Sequence, residues 1–158
     1  MSEEWPNLGP AHEIDGFVEP MLWGTSTYAI IRMPTALVAA AQAAGTRRVG
    51  GTLDEVEVNL ALTRAPVIDD TFVWSGASLL RRMRLEPGDP VRGWLAPVDP
   101  DFVLVPSDVA AAFDAAGARD AWEGLPPAKR RQRLVPVESA ATAATRARRI
   151  DALVSALG

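Results

Sequence analysis

The hydrophobic positions change period along the chain, and the changes mark the elements. Residues 14–23 alternate loosely around Phe17 and Val18 with an interruption at Pro20, which predicts a broken strand. Residues 25–33 (TSTYAIIRM) are rich in β-branched and aromatic side chains and stop before Pro34, a second strand. Residues 35–44 form a helix of strong helix formers, with Pro34 at its mouth and Gly45 as its stop. Two further strands follow at residues 47–53 and 55–62. In the second, Val56, Val58, Leu60 and Leu62 share one face, and Asp54 lies at the join. Residues 71–74 read as a short strand, and Ser75 or Ser78 as the cap of a helix through Leu79, Leu80 and Met83. After the turn at Glu86-Pro87-Gly88-Asp89 come strands at residues 91–98 and 102–105.

From Pro106 onward the period is helical. Ser107 and Asp108 open a helix that passes Phe113 and ends at Gly117, with a short turn at residues 119–123. Pro126-Pro127 starts a helix that Pro136 interrupts. In the last helix Ala143, Ala147, Ile150, Val154 and Leu157 form one stripe, flanked by Arg146, Arg148 and Arg149, which reads as a docking face. About seven short strands with inserted helices predict an α+β, β-dominated fold: a small closed β-barrel with a helical C-terminal extension. The expected organisation is a loose arm at 1–13, a barrel domain at 14–105 and a helical segment at 106–158.

Composition narrows the chemistry. With no cysteine, disulfides, thiolate metal sites and cysteine nucleophiles are excluded, and the single histidine, His12, reads as an exposed loop residue. No run approaches a membrane span, and the acidic start lacks a signal-peptide pattern, so the expected location is cytoplasmic. Seven basic side chains face two acidic ones from Pro126 to Gly158, against nine basic and eighteen acidic before them. A basic tail either folds back on the acidic body or takes an anionic partner.

Several pieces together resemble a known bacterial family. They are Arg48-Val49-Gly50-Gly51-Thr52-Leu53, Leu79-Leu80-Arg81-Arg82 leading to Gly88-Asp89-Pro90-Val91, and Val105-Pro106-Ser107-Asp108-Val109 leading to Phe113. Leu125-Pro126-Pro127 and Thr145-Arg146-Ala147-Arg148-Arg149-Ile150 complete the set. The chain resembles proteins joining a small β-barrel domain of unknown function to a YdeI/OmpD-associated, or bacteriocin-protection, segment. It departs from that pattern at Asp54-Glu55, where the family carries Asn-Gly. It departs again at Pro136, Ala141 and Ala144, in place of a tryptophan, a lysine and a glutamate. The resemblance implies a double-split barrel similar to the AbrB and MazE DNA-binding domains. It supplies an association with resistance and no mechanism.

No catalytic constellation stands out. The pairs Asp54/Glu55, Asp69/Asp70 and Asp99/Asp101 fall at expected turns, where aspartate bonds its own backbone, so no metal site or cofactor is expected. The first functional reading is a non-enzymatic binding protein for a small organic ligand, linked to stress or resistance. Its contact set is Trp23, Tyr28, Arg32, Trp74 and Trp94, which offer stacking surfaces and one cation. Tyr28, Ile30 and Arg32 share strand parity, so Arg32 needs an anion or a carboxylate if that face points inward. The alternative is AbrB-like DNA binding through Arg81, Arg82 and Arg84, and a further one is an enzyme of specialised metabolism using the barrel interior.

Overall fold

The alternation at residues 12–97 builds two antiparallel sheets in the computed structural model, which describes residues 7–158. The chain divides into two compact units, Met1–Phe102 and Val103–Gly158. The part of the expected arm at residues 1–6 lies outside the described residues.

In the first unit, strands β1 (His12–Phe17), β4 (Arg48–Leu53), β5 (Val56–Ala61) and β8 (Pro90–Pro97) form one sheet in the order β1-β8-β4-β5. Strands β2 (Glu19–Trp23), β3 (Ser26–Arg32), β6 (Thr63–Ala65) and β7 (Ile68–Trp74) form the other, in the order β2-β3-β7-β6. Helices α1 (Thr35–Ala43) and α2 (Ala77–Met83) each follow a strand of the second sheet. Period-2 alternation sends Ile14, Val49, Leu53, Val58, Val91 and Leu95 of the first sheet into a shared core. They meet Ile31 and Val73 of the second sheet, with Leu37 of α1 and Leu79 and Met83 of α2. Each fully buried aliphatic side chain there contributes about 1.5–3 kcal/mol.

The expected closed barrel does not form: neither sheet closes on itself. Where directly consecutive strands lie in different sheets, at β1–β2 and β5–β6, a single corner residue extends the first sheet's ladder by one step before the chain turns into the second sheet. Between β1 and β2, Val18 donates to the Asp89 carbonyl and accepts from Gly88 N–H. Between β5 and β6, Leu62 donates to the Arg47 carbonyl. The outer edges also resist extension. Strand β2 carries Pro20, which has no N–H to offer, and β6 is three residues long with a register shift. Without closure, the likeness to AbrB-type barrels has no structural support.

Other elements shift for local reasons. The first strand breaks at Val18 rather than Pro20, because Pro20 is accommodated on an edge opposite Ala29. His12 is a strand residue opposite Leu95, not a loop residue. Gly76, rather than a serine side chain, precedes α2, and Ser75 is fully buried. Residues 102–105 are not a strand. Two glycines set how closely β4 and β8 approach: a Cβ on Gly51 would stand 2.1 Å from the Trp94 carbonyl oxygen, and one on Gly93 1.9 Å from that of Thr52. No other residue fits at either position without moving backbone.

The second unit contains α3 (Ser107–Ala116), α4 (Arg119–Glu123), α5 (Pro127–Glu138) and α6 (Ala143–Leu157). Its core is its own: Val109 and Phe113 of α3, Trp122 of α4, Leu134 and Val137 of α5, and Ile150 and Leu153 of α6. The Phe113 and Trp122 rings meet with centroids 4.8 Å apart. The apolar stripe of α6 therefore supplies this core through Ile150, Val154 and Leu157, while Ala143 and Ala147 stay exposed. Pro136 does not end α5, which continues to Glu138 because the proline sits in the last turn.

Candidate ligand-binding face

Register places four of the five expected contact residues together. Glu19 pairs with Ile30, Met21 with Tyr28, Ile30 with Trp74 and Arg32 with Phe72, so all seven side chains project from one face of the second sheet, and Trp23, two residues beyond Met21, joins them. That face is apolar at its base: Met21, Ile30 and Phe72 are buried with Ala65, and Ile68 packs beside them. Consecutive apolar residues at Ile30-Ile31 and Phe72-Val73 explain this, since one of each pair serves the shared core and the other this second face.

Above the base stand three exposed rings: Trp23 (39% exposed), Tyr28 (41%) and Trp74 (37%). The Tyr28 and Trp74 centroids are 5.2 Å apart and tilted by 58°. Trp23 and Trp74 lie nearly parallel, 4° apart in plane at a centroid distance of 6.5 Å. Tyr28 presents an edge to Trp23, and Phe72 an edge to Trp74. Ring pairs of this kind contribute about 0.5–1.5 kcal/mol each beyond buried area. The rings are thus held by one another while their outer surfaces stay open.

Arg32 closes one side of the platform. Its Nε donates to both carboxylate oxygens of Glu19, at 3.1 and 3.0 Å, and its Nη1 donates to Asp70 Oδ2 at 2.8 Å. The Asp70 hydrogen bond, and then that of Glu19, hold the guanidinium even more firmly charged than usual. The face is solvent-facing, so Arg32 is not an inward cation awaiting an anion, and its two carboxylates leave the cluster with a formal charge of −1. Glu19 and Asp70 were absent from the expected contact set. Hairpin register reveals them, because each stands diagonally across from Arg32 on a neighbouring strand.

Trp94 does not join this cluster. It sits on β8 in the other sheet, opposite Glu13 and Thr52, and lines a groove of about 910 Å³. Arg82 and Arg84 of the alternative DNA-contact set line the same groove, together with Arg92, Glu13, Asp54 and Glu55. Arg82 Nη2 donates to the Glu57 carbonyl at 3.0 Å. Arg81 does not line it. Three carboxylates beside three guanidinium groups give the groove no excess charge for a polyanion.

Two of the expected turn carboxylates, Asp54 and Asp99, serve the backbone, whereas Asp69 and Asp70 lie within β7 and not at a turn. Asp54 Oδ1 accepts from Arg92 N–H at 3.0 Å, and Asp99 Oδ1 from Asp101 N–H at 2.8 Å. Among the described residues no group of three or more His, Cys, Asp or Glu side chains is placed to hold a metal ion. No described helix is long and apolar enough to cross a membrane.

In the second unit, an ion pair ties α3 to α6. Arg146 Nε lies 2.7 Å from Asp108 Oδ2 and Nη2 2.9 Å from Oδ1, a two-point contact at the start of α3. The Arg146 hydrogen bond holds the Asp108 carboxyl below the usual carboxylate range. A hollow of about 300 Å³ lies against this pair, lined also by Ala143, Ala147, Ile150 and Asp151. Residues 103–158 match the family described as OmdA: bacteriocin-protection, YdeI or OmpD-associated. The match covers the whole second unit and none of the first. No curated protein and no solved structure matches the chain. Within the OmdA segment, the residues that carried the resemblance do structural work: Asp108 and Arg146 pair, while Val109, Phe113 and Ile150 fill the core.

Proposed function

We propose that the chain is a cytoplasmic, non-enzymatic binding protein associated with stress or resistance, in which the first unit takes a small organic ligand on its aromatic face. The carrying observation is the convergence of Trp23, Tyr28 and Trp74 as exposed rings on a fully packed apolar base. A soluble domain that needs aromatics only for its core buries them, as Phe72 is buried on the same face. The resistance association rests on the OmdA match of the second unit.

The charge beside the rings selects the ligand. With Arg32 held by Glu19 and Asp70, an added anion meets a net −1 and loses about 1 kcal/mol at 4 Å even in water. The face therefore favours a neutral or cationic molecule that presents a flat ring or an apolar sugar face. The test is tryptophan fluorescence titration with aryl glycosides, aryl quaternary ammonium compounds and antibiotics. Binding is expected from neutral or cationic members, weakened about tenfold in Trp74→Ala, as loss of roughly 1.4 kcal/mol of stacking implies. A library in which no compound changes the signal, or in which Trp74→Ala leaves every affinity unchanged, would sink the reading.

A further inference from the structure

We propose that the groove at the β4–β5 turn is a second, separate binding site, for a ring-bearing molecule carrying one acidic group. Trp94 lies under the ring and Arg84 takes the acid. Three independent features meet there.

First, the groove holds about 910 Å³, room for a drug-sized molecule, and Trp94 on its wall is 55% exposed. Its strand neighbours Glu13 and Thr52 are too small or too polar to cover an indole. Second, the left-handed non-glycine positions of the described residues all fall here. Among the described residues three non-glycine residues have left-handed φ: Asp54 (45°), Glu55 (68°) and Arg84 (59°). All three line this groove, although Arg84 is about thirty positions from the other two in sequence. Left-handed backbone is unfavourable for L residues and concentrates where a side chain must be aimed.

Third, the three cations are unequally committed. Arg82 donates to the Glu57 carbonyl, and Arg92 lies 3.5 Å from Asp15. Arg84, at the left-handed end of α2, has no side-chain partner among the described residues. An unpaired guanidinium fork lining the same groove as an exposed indole suits a carboxylate or a phosphate on an aryl group, and both acids share that chemistry. The groove's balanced charge favours a single acidic group over a chain of them. The ligand class thus differs from that of the aromatic face, where Arg32 is already held by two carboxylates.

The test uses the full chain, isotope-labelled, with 1-naphthoate and 1-naphthyl phosphate as probes and 1-naphthylmethanol as the uncharged control. NMR shifts are followed at the Trp94 indole N–H and the Arg84 Nε–H. Saturable shifts are expected with at least one acid, with the tighter of the two identifying the preferred group. Binding should fall about tenfold or more in Arg84→Gln and in Trp94→Ala and recover in part in Arg84→Lys. Trp74→Ala should leave it unchanged. Thermal melts of each variant show that the fold persists, as expected for two exposed side chains. Equal shifts of Trp94 and Arg84 with the uncharged control, unchanged affinity in Arg84→Gln, acid-probe shifts confined to Trp23 and Trp74, or no saturation at millimolar acid probe would each overturn the proposal. These readouts at Trp94 and Arg84 are separate from those of neutral ligands at Trp23 and Trp74.

Discussion

Asp54 and Glu55 occupy the two central positions of the tight β4–β5 turn, and both have left-handed φ. Such turns match the twist of the strands and are ordinarily made by Asn-Gly or Asp-Gly. Asp54 tolerates the conformation and gains from it, because its carboxylate accepts from Arg92 N–H. Glu55 has no such return, and a left-handed residue with a Cβ loses about 1–2 kcal/mol. Glu55→Gly is therefore expected to stabilise the first unit by up to about 1 kcal/mol, after the added flexibility of glycine in the unfolded chain is subtracted. A denaturant melt checks it: the midpoint should rise with an unchanged slope. A lower midpoint would mean that the Glu55 side chain holds the turn by a contact stronger than the strain. Glu55 also lines the groove, so the substitution removes one of its three carboxylates as well.

Elements were legible where their signals are local. Helix α3 follows from Pro106 at its mouth, Ser107-Asp108 in its first turn and Gly117 at its left-handed end. Strand parity placed Tyr28 and Arg32 on one face, and register added Trp23 and Trp74. Parity fixes a face within a strand but not the sheet the strand joins, which is why Trp94 was grouped with rings on another sheet. Barrel closure was illegible for a related reason: the bonds that hold the corner residues Val18 and Leu62 in the first sheet go to Gly88, Asp89 and Arg47, distant in sequence. The Asp108–Arg146 pair is equally non-local, joining side chains on two helices far apart in sequence. Its pH dependence has a definite sign. The folded-state pKa of Asp108 is depressed by Arg146, so the pair's contribution is present above the ordinary carboxylate value near 3.8 and is lost as pH falls through the lowered folded value. Asp108→Asn should lower the melting temperature of the second unit at pH 7, by about 4–8 °C per kcal/mol lost, with at most about 1 kcal/mol expected for a half-exposed pair. The gap between the two proteins should narrow at acid pH. A gap that stays constant down to pH 2 would show that the ion pair does not carry the loss.

At the scale of the whole chain, charge and core divide at the same place. Residues 1–102 carry eight basic and fourteen acidic side chains, a net −6, and residues 103–158 carry eight and six, a net +2. The second unit's core draws only on its own helices, from Val103 to Leu157, and includes two fully buried aromatic rings. Fifty-six residues, the length of that unit, is near the lower limit at which one apolar core suffices, so its independence is a quantitative question. Trp122 answers it directly, because it is the one tryptophan in residues 103–158 and is 1% exposed. Expressed alone, that segment is expected to keep its helical circular dichroism and a blue-shifted Trp122 emission, and to lose both in one cooperative transition. Trp122→Ala should remove about 3–5 kcal/mol and leave the isolated segment unfolded. A segment whose Trp122 emits as in water would show that the helices depend on the first unit. The family match to residues 103–158 would then describe a sequence unit that is not a folding unit.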